Sequence, residues 1–334
     1  MRYIAVRLFQ CVFILLGVSI ITFFLPNLYE SPISIAIKVL GHKNVPPHEY
    51  YVWMQQNNLT GPIIERYWHW LLGVLHGNFG TAYDESTATQ TVSVSTVIGG
   101  NVWRSIWLVT IPTILSVLIA IPIGLTQAVR RNKMYDHVMT TFVYVLYSTP
   151  ALLISILLIY YGSIVLNIGT VGVSPDALSV PPAQFPSWMI HHWQQFLWPF
   201  VALICLSVGG FTRYMRGSAL DTLVQDYVRT AKAKGASPSR VLFRHVLRPS
   251  VVPLITILGL TIPAIIGGAL IIEYIFNYPG MGVLTVNAVT NGDFNVVLAI
   301  TLLTAVLTVV GNLLADIFVA VSDPRVRLGA AKGA

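Results

Sequence analysis

Six apolar runs divide the chain, at Leu8 to Leu25, about Ile106 to Leu125, about Val138 to Leu166, about Phe196 to Phe211, about Val251 to Ile272 and about Val296 to Val321. About 20 apolar residues cross a bilayer core, so the runs predict spanning helices, with the first just sufficient and the fourth short. Arg2 and Arg7 precede the first run like a signal sequence, yet no small-x-small cleavage site precedes Pro26 and Asn27, so a retained span is expected. Pro112, Pro122 and Pro150 interrupt the second and third runs and predict kinks tolerated in a packed bundle. The predicted fold is all-α and polytopic. It has an N-terminal helix at 1–28, an outer loop region at 29–101, a five-helix core at 102–327 containing an inner loop at 212–248, and a tail at 328–334.

The polar segments differ in kind. Trp53 to Gly80 is rich in Trp, Tyr and Leu, as expected at a lipid interface, whereas Thr81 to Ser95 is Ser/Thr-rich and predicts loop. In the inner loop, Val224, Tyr227, Val228, Ala231 and Gly235 recur at helical spacing, while Gln225, Asp226, Arg229, Lys232 and Lys234 lie mainly off that stripe. This predicts a short helix across a membrane face, able to dock onto something; the same pattern suits a solvated basic loop. Gly235 reads as a C-terminal stop, and Ser237-Pro238 as the N-cap and first position of a second short helix to about Leu247. Asp226 and Arg229 at i,i+3 add only roughly 0.2 to 0.5 kcal/mol, so the bundle or a partner must hold the segment.

Composition narrows the class. Of 334 residues, 55% are hydrophobic and 10% charged, and the mean hydropathy is +0.70, which excludes an ordinary soluble protein. The net charge of +7 follows topology: 16 of the 20 Lys and Arg fall in the segments on the side of the termini, which predicts cytoplasmic termini and argues against a nucleic-acid partner. Both cysteines, Cys11 and Cys205, lie in apolar runs and suggest neither disulfide nor metal cluster. No Gly-Lys dipeptide occurs, hence no P-loop, and the histidines, including His191-His192, lack metal-ligand spacing. Glu273, ending the fifth run, reads either as lining or gating a path or as anchoring the helix end. Asp316, inside the sixth, must face protein or water. Pro279-Gly280 reads as a turn, and Asp293 with Asn291 as a cap of the sixth helix.

The run Asp226-Tyr-Val-Arg-Thr-Ala-Lys-Ala-Lys-Gly-Ala-Ser237, continued by Val241-Leu-Phe-Arg-His-Val-Leu-Arg-Pro249, resembles the cytoplasmic coupling loop of ATP-binding-cassette importer permeases, and more narrowly the dipeptide/oligopeptide permease family. Where the general pattern has Glu-Ala-Ala before the glycine, this chain has Arg229-Thr230-Ala231. Four further stretches resemble family motifs in order: Glu65 to Gly73 with Gly77 to Thr81, Ser148-Thr-Pro-Ala151, Glu273-Tyr-Ile-Phe-Asn-Tyr-Pro-Gly-Met-Gly282, and Asp323-Pro-Arg-Val-Arg327.

The resemblance implies a type I importer permease in a bacterial inner membrane. It also implies a second homologous permease, two cytoplasmic ATPase subunits carrying ATP and Mg, and an extracytoplasmic substrate-binding protein. In it, the ATPase subunits grip the helix around residues 224–235, with Asp226, Tyr227, Arg229, Thr230, Ala231, Lys232, Lys234, Gly235 and Ser237 at the contact; Glu273, Pro279, Gly280 and Asp316 are candidates for path or gate. The chain itself is expected to be non-catalytic and to bind no cofactor. Peptides are the implied cargo, with glutathione or nickel as alternatives. An ion-coupled secondary transporter is the reading from another class, but the spans show neither clear intramembrane carboxylates nor inverted repeats.

Overall fold

The computed structural model describes residues 2–29, 31, 33–34, 46–56, 59–83, 91–261 and 269–322. Its elements are, in order, α1 (Arg2–Tyr29), α2 (Pro47–Gln56), α3 (Ile63–Leu75), β1 (Thr81–Tyr83), β2 (Thr91–Ser93), α4 (Val94–Val129), α5 (Met134–Ser148), α6 (Ala151–Leu157), α7 (Phe185–His191), α8 (Trp193–Leu223), α9 (Asp226–Ala233), α10 (Pro238–Arg240), α11 (Arg248–Leu260), α12 (Leu270–Ile275), α13 (Met281–Asn291) and α14 (Phe294–Ser322). Helices α6 and α10 each pass into a π-helical stretch, Leu158–Val165 and Val241–Leu247.

Among the described residues, four helical segments are long and apolar enough to span a membrane: Val94–Val129, Trp193–Leu223, Pro238–Gly259 and Phe294–Leu314. The α5 and α6 pair makes a fifth if read as one span. That pair bends by 100°, because Pro150 pushes Thr149 into an extended conformation (φ −75°, ψ 130°) and the helix must restart. Three boundaries differ from the sequence expectation. Helix α4 begins at Val94, not near Ile106, so at 1.5 Å per residue its 36 residues reach about 54 Å and overshoot the bilayer core. Helix α8 runs through Leu223, taking 12 residues out of the expected inner loop, since nothing between Thr212 and Leu223 breaks it. The helix starting at Pro238 continues without a break into the next span instead of stopping near Leu247.

Helices α4 and α8 form the spine. Gly124 permits their contact, since a Cβ there would lie 2.8 Å from Cβ of Met215 and 2.9 Å from the Thr212 carbonyl. Gly209 does the same for α5, where a Cβ would meet Cβ of Tyr147 at 2.6 Å. Ala120, Val208, Phe211 and Leu254 then bury α11 against the spine. Within the expected loop from Thr81 to Ser95, β1 and β2 pair antiparallel and β2 runs into α4; Asn295 ties β1 to α14, its Nδ2 donating to the Thr81 carbonyl at 2.9 Å. The motif around Trp70 holds α1: Tyr67 and Trp70 pack on Phe23, the Tyr67 hydroxyl meets Ser19 Oγ at 2.9 Å, and Arg66 Nη2 donates to Asn27 Oδ1. Residues 173–196, polar in sequence, bury Val173, Ala177, Phe185, Met189 and Phe196 against Leu108 and Tyr278.

Candidate functional site

The inner segment is built by local rules. Gln225 is extended (φ −69°, ψ 146°) and starts α9, and Thr230 Oγ1 donates to the Asp226 carbonyl at 2.9 Å. At the far end the Ala236 N–H donates to the Ala231 carbonyl at 3.1 Å and the Gly235 N–H to that of Lys232 at 3.0 Å, the Schellman pattern. Gly235 sits at φ +77°, and a Cβ there would meet nothing within 4 Å. Ser237 Oγ then accepts from the Arg240 N–H at 3.4 Å, with Pro238 in the first helical position.

Packing divides the apolar stripe. Val228 and Ala231 are buried with Leu125, Ala128, Met215, Ala219, Val241 and Val246, so α9 is bolted to α4, α8 and the start of the following helix. Val224 and Tyr227 instead face outward, 58% and 47% exposed, together with Phe243 at 61%. Arg229, Lys232, Lys234, Arg240 and Arg244 are exposed around them. Arg229 lies 3.8 Å from Asp226 across open solvent, a pair of little energetic weight. Large apolar groups ringed by cations suit protein docking. Phe243 was missed as a member of this face, while Val224 and Tyr227, read as part of one docking stripe, turn out to be its outward half; that split appears only once Val228 and Ala231 are seen to face inward.

Asp136 and Arg216 fasten the same end. The turn Arg130 to Lys133 places Asn132 at φ +62°, and its N–H donates to Asp136 Oδ2 at 3.0 Å. Arg216 donates to both carboxylate oxygens at 2.8 Å, joining α8 to the first turn of α5. The side chains are 30% and 3% exposed, and sequence reading had assigned this pair no function.

Glu273 belongs to a different node, at the opposite end. It is fully buried, and its Oε1 accepts from Ser105 Oγ at 2.7 Å while Oε2 accepts from the Gly282 N–H at 2.5 Å. The carboxylate therefore occupies the N-terminus of α13, where unpaired N–H groups and the helix dipole favour an anion. Ser105 Oγ accepts in turn from the Met281 N–H at 2.8 Å, and the Tyr278 hydroxyl donates to the Arg104 carbonyl at 2.6 Å. Pro279 and Gly280 are buried in this turn, and a Cβ on Gly280 would fall 2.5 Å from Ser105 Oγ and 2.6 Å from Glu273 Cδ. The structure thus brings Glu273, Pro279 and Gly280 into one clasp at Ser105, near the start of α4, whereas α9 packs on Leu125 and Ala128 near its end. Asp316 lies in α14, but its side chain falls outside the described residues, as does the Asp323 to Arg327 stretch. Among the described residues, no three His, Cys, Asp or Glu are grouped to hold a metal.

A bundle of long apolar helices, with an exposed apolar and basic face at one end and a carboxylate clasp at the other, defines a polytopic membrane protein. Residues 120–328 match the family described as binding-protein-dependent transport system inner membrane component, and residues 1–118 match its N-terminal counterpart. The chain belongs to this family, and so is the permease component of an ATP-binding-cassette importer, an integral membrane protein working with other subunits. It is 34% identical to the oligopeptide transport system permease protein AppB of Bacillus subtilis over 97% of this chain and 98% of that one. It is 30% identical to OppB, of the same description, from Mycobacterium tuberculosis over 98% and 99% of the two chains. With the glutathione transport system permease protein GsiC of Salmonella choleraesuis the identity is 32% over 82% of each.

Proposed function

We propose that the chain forms half of the pore of an importer that carries dipeptides or longer peptides into the cell, pairing with a second homologous permease. Two ATPase subunits, which hold ATP and Mg, grip α9, and a binding protein delivers peptide at the opposite face. In this reading the fold has six spans, α1 and the bent α5–α6 pair included, with both termini in the cytoplasm of a bacterium and the large first loop outside. The oligopeptide permeases among its relatives support the cargo.

The observation that carries the mechanism is how α9 is held. Val228 and Ala231 anchor it to α4 and α8, so force applied to its exposed face reaches the spine without an intervening flexible joint. ATP-driven closure of the ATPase pair would tilt that spine from inward-open to outward-open. The test is peptide uptake into proteoliposomes holding the permease pair, with ATPase subunits, binding protein or ATP omitted in turn. Uptake is expected only with all three; uptake without ATPase subunits, driven by an ion gradient, would overturn the reading in favour of a secondary transporter. Glutathione is the second cargo reading, supported by the name of the glutathione relative.

A further inference from the structure

At the end of the bundle that carries α9, a cavity of about 490 Å³ opens between α4, α5, α8 and α11. Small-molecule sites run from about 300 to 1,000 Å³, so this one has room for a short peptide. Two of its lining side chains, Gln127 and Thr212, are each only 1% exposed, and each leaves an oxygen unpartnered, Oε1 and Oγ1 respectively. The Gln127 amide is held by its Nε2, which donates to Thr140 Oγ1 at 3.1 Å, so Oε1 stands as an open acceptor. A buried acceptor without a donor is costly, and a ligand N–H would remove that cost.

Along α8 the wall carries Arg213, Gly217 and Asp221, four residues apart and so on one helix face. The two charged residues stand about 12 Å apart along the axis, with the glycine midway. Both are exposed, and among the described residues neither side chain makes a hydrogen bond or ion pair, whereas Arg216 beside them is spent on Asp136. A charge of each sign on a spanning helix marks a water-filled path rather than a lipid face. Gly217 has no reason in the fold: its backbone is helical, and a Cβ there would meet nothing within 4 Å. Glycine inside a helix is less stable than alanine, so bare backbone at that point serves the close approach of something else.

A lipid phosphate would meet Arg213 but be repelled by Asp221, and it brings no N–H to Gln127. A peptide brings N–H groups along its backbone and charge of both signs, and three or four extended residues at about 3.3 to 3.6 Å each match the length of the stripe. We propose that this cavity is a peptide subsite at the α9 end of the transport path. A cargo of three or four residues lies across Gly217, a backbone N–H donates to Gln127 Oε1, and Arg213 and Asp221 set which charged side chains pass. The inference rests on the peptide-cargo reading and deepens it, since it gives the permease a selectivity of its own.

The experiment uses the complete importer in proteoliposomes at saturating binding protein, comparing the uptake rates of Ala-Lys-Ala and Ala-Glu-Ala. Arg213→Glu is expected to raise the lysyl to glutamyl rate ratio by about three- to tenfold, and Asp221→Lys to lower it by as much. Because the same binding protein is used throughout, its own preference cancels between variants. Gly217→Leu should slow both peptides by about tenfold or more while the complex keeps its melting temperature, because leucine favours the helix and meets no neighbour. A ratio that neither charge reversal moves, as for a groove that holds lipid, overturns the inference and leaves the importer reading standing. So does wild-type uptake by Gly217→Leu, or loss of the second permease from that complex, which would make the groove a subunit contact. Failure of the wild-type complex to take up either peptide sinks the cargo reading, and this inference with it.

Discussion

Gly235 and Gly280 are glycine for opposite reasons. Gly235 has a left-handed backbone and open space around it; Gly280 has φ −115°, which any residue can adopt, but no room for a Cβ. An L-residue in the left-handed region loses roughly 1 to 2 kcal/mol, less for asparagine. Gly235→Asn should therefore keep most transport, Gly235→Ala lose part, and Gly235→Leu lose most, by adding bulk where a partner must approach. Peptide-stimulated ATP hydrolysis by the assembled complex measures this; wild-type hydrolysis and uptake by Gly235→Leu in an intact complex would remove α9 from the coupling path. Gly280→Ala should instead lower stability while α9 is untouched, because it strikes the Glu273 carboxylate. Glu273→Gln is expected to destabilise by about 1 to 3 kcal/mol, since the amide NH₂ must face a hydroxyl donor or a backbone N–H. Thermal unfolding of the purified complex reads both. An unshifted melting temperature for Gly280→Ala and Glu273→Gln would show that the clasp carries no stability.

At the scale of elements, α5 is held to α8 twice, by the close approach of Gly209 to Tyr147 and by the Arg216 to Asp136 ion pair. The second contact is the more fragile. Arg216→Ala leaves a carboxylate that is 3% exposed facing one backbone N–H and a hydroxyl, and removing one partner of a buried pair costs about 3 kcal/mol or more. Asp136→Leu alone should cost less, because the arginine is 30% exposed and can reach water. The double variant Asp136→Leu/Arg216→Ala is expected to be more stable than Arg216→Ala, because it no longer buries an unpaired carboxylate. Denaturant unfolding in detergent gives all three, and simple additivity would mean the ion pair is not coupled.

For the whole molecule, sidedness is the property on which the coupling and delivery roles both depend. Ser187 on α7 and Ser237 after α9 are exposed, at opposite ends of the bundle. With Cys11 and Cys205 replaced by serine, Ser187→Cys should react with a membrane-impermeant maleimide on intact cells, and Ser237→Cys only after permeabilisation. The reverse pattern would place α9 outside, beyond reach of any cytoplasmic ATPase.

The apolar runs settled that the chain is helical and membrane-spanning, because most of them carry enough hydrophobic length to span the bilayer by themselves. They also located α9 and its glycine stop, since capping and the Schellman turn are written within a few residues. The ends of α4 and α8 were not legible: a helix continues past an apolar run wherever neighbours cover it, as Met215 and Ala219 are covered beyond Phe211. Nor could local pattern say which way the α9 stripe faces, or that Ser105 and Glu273, 168 positions apart, share a hydrogen bond. Apolar length and turn chemistry act over a few neighbouring residues, so the sequence by itself determined the helices. The docking face, the carboxylate clasp and the cavity beside Gly217 are made of residues from distant elements, and only tertiary packing decided them.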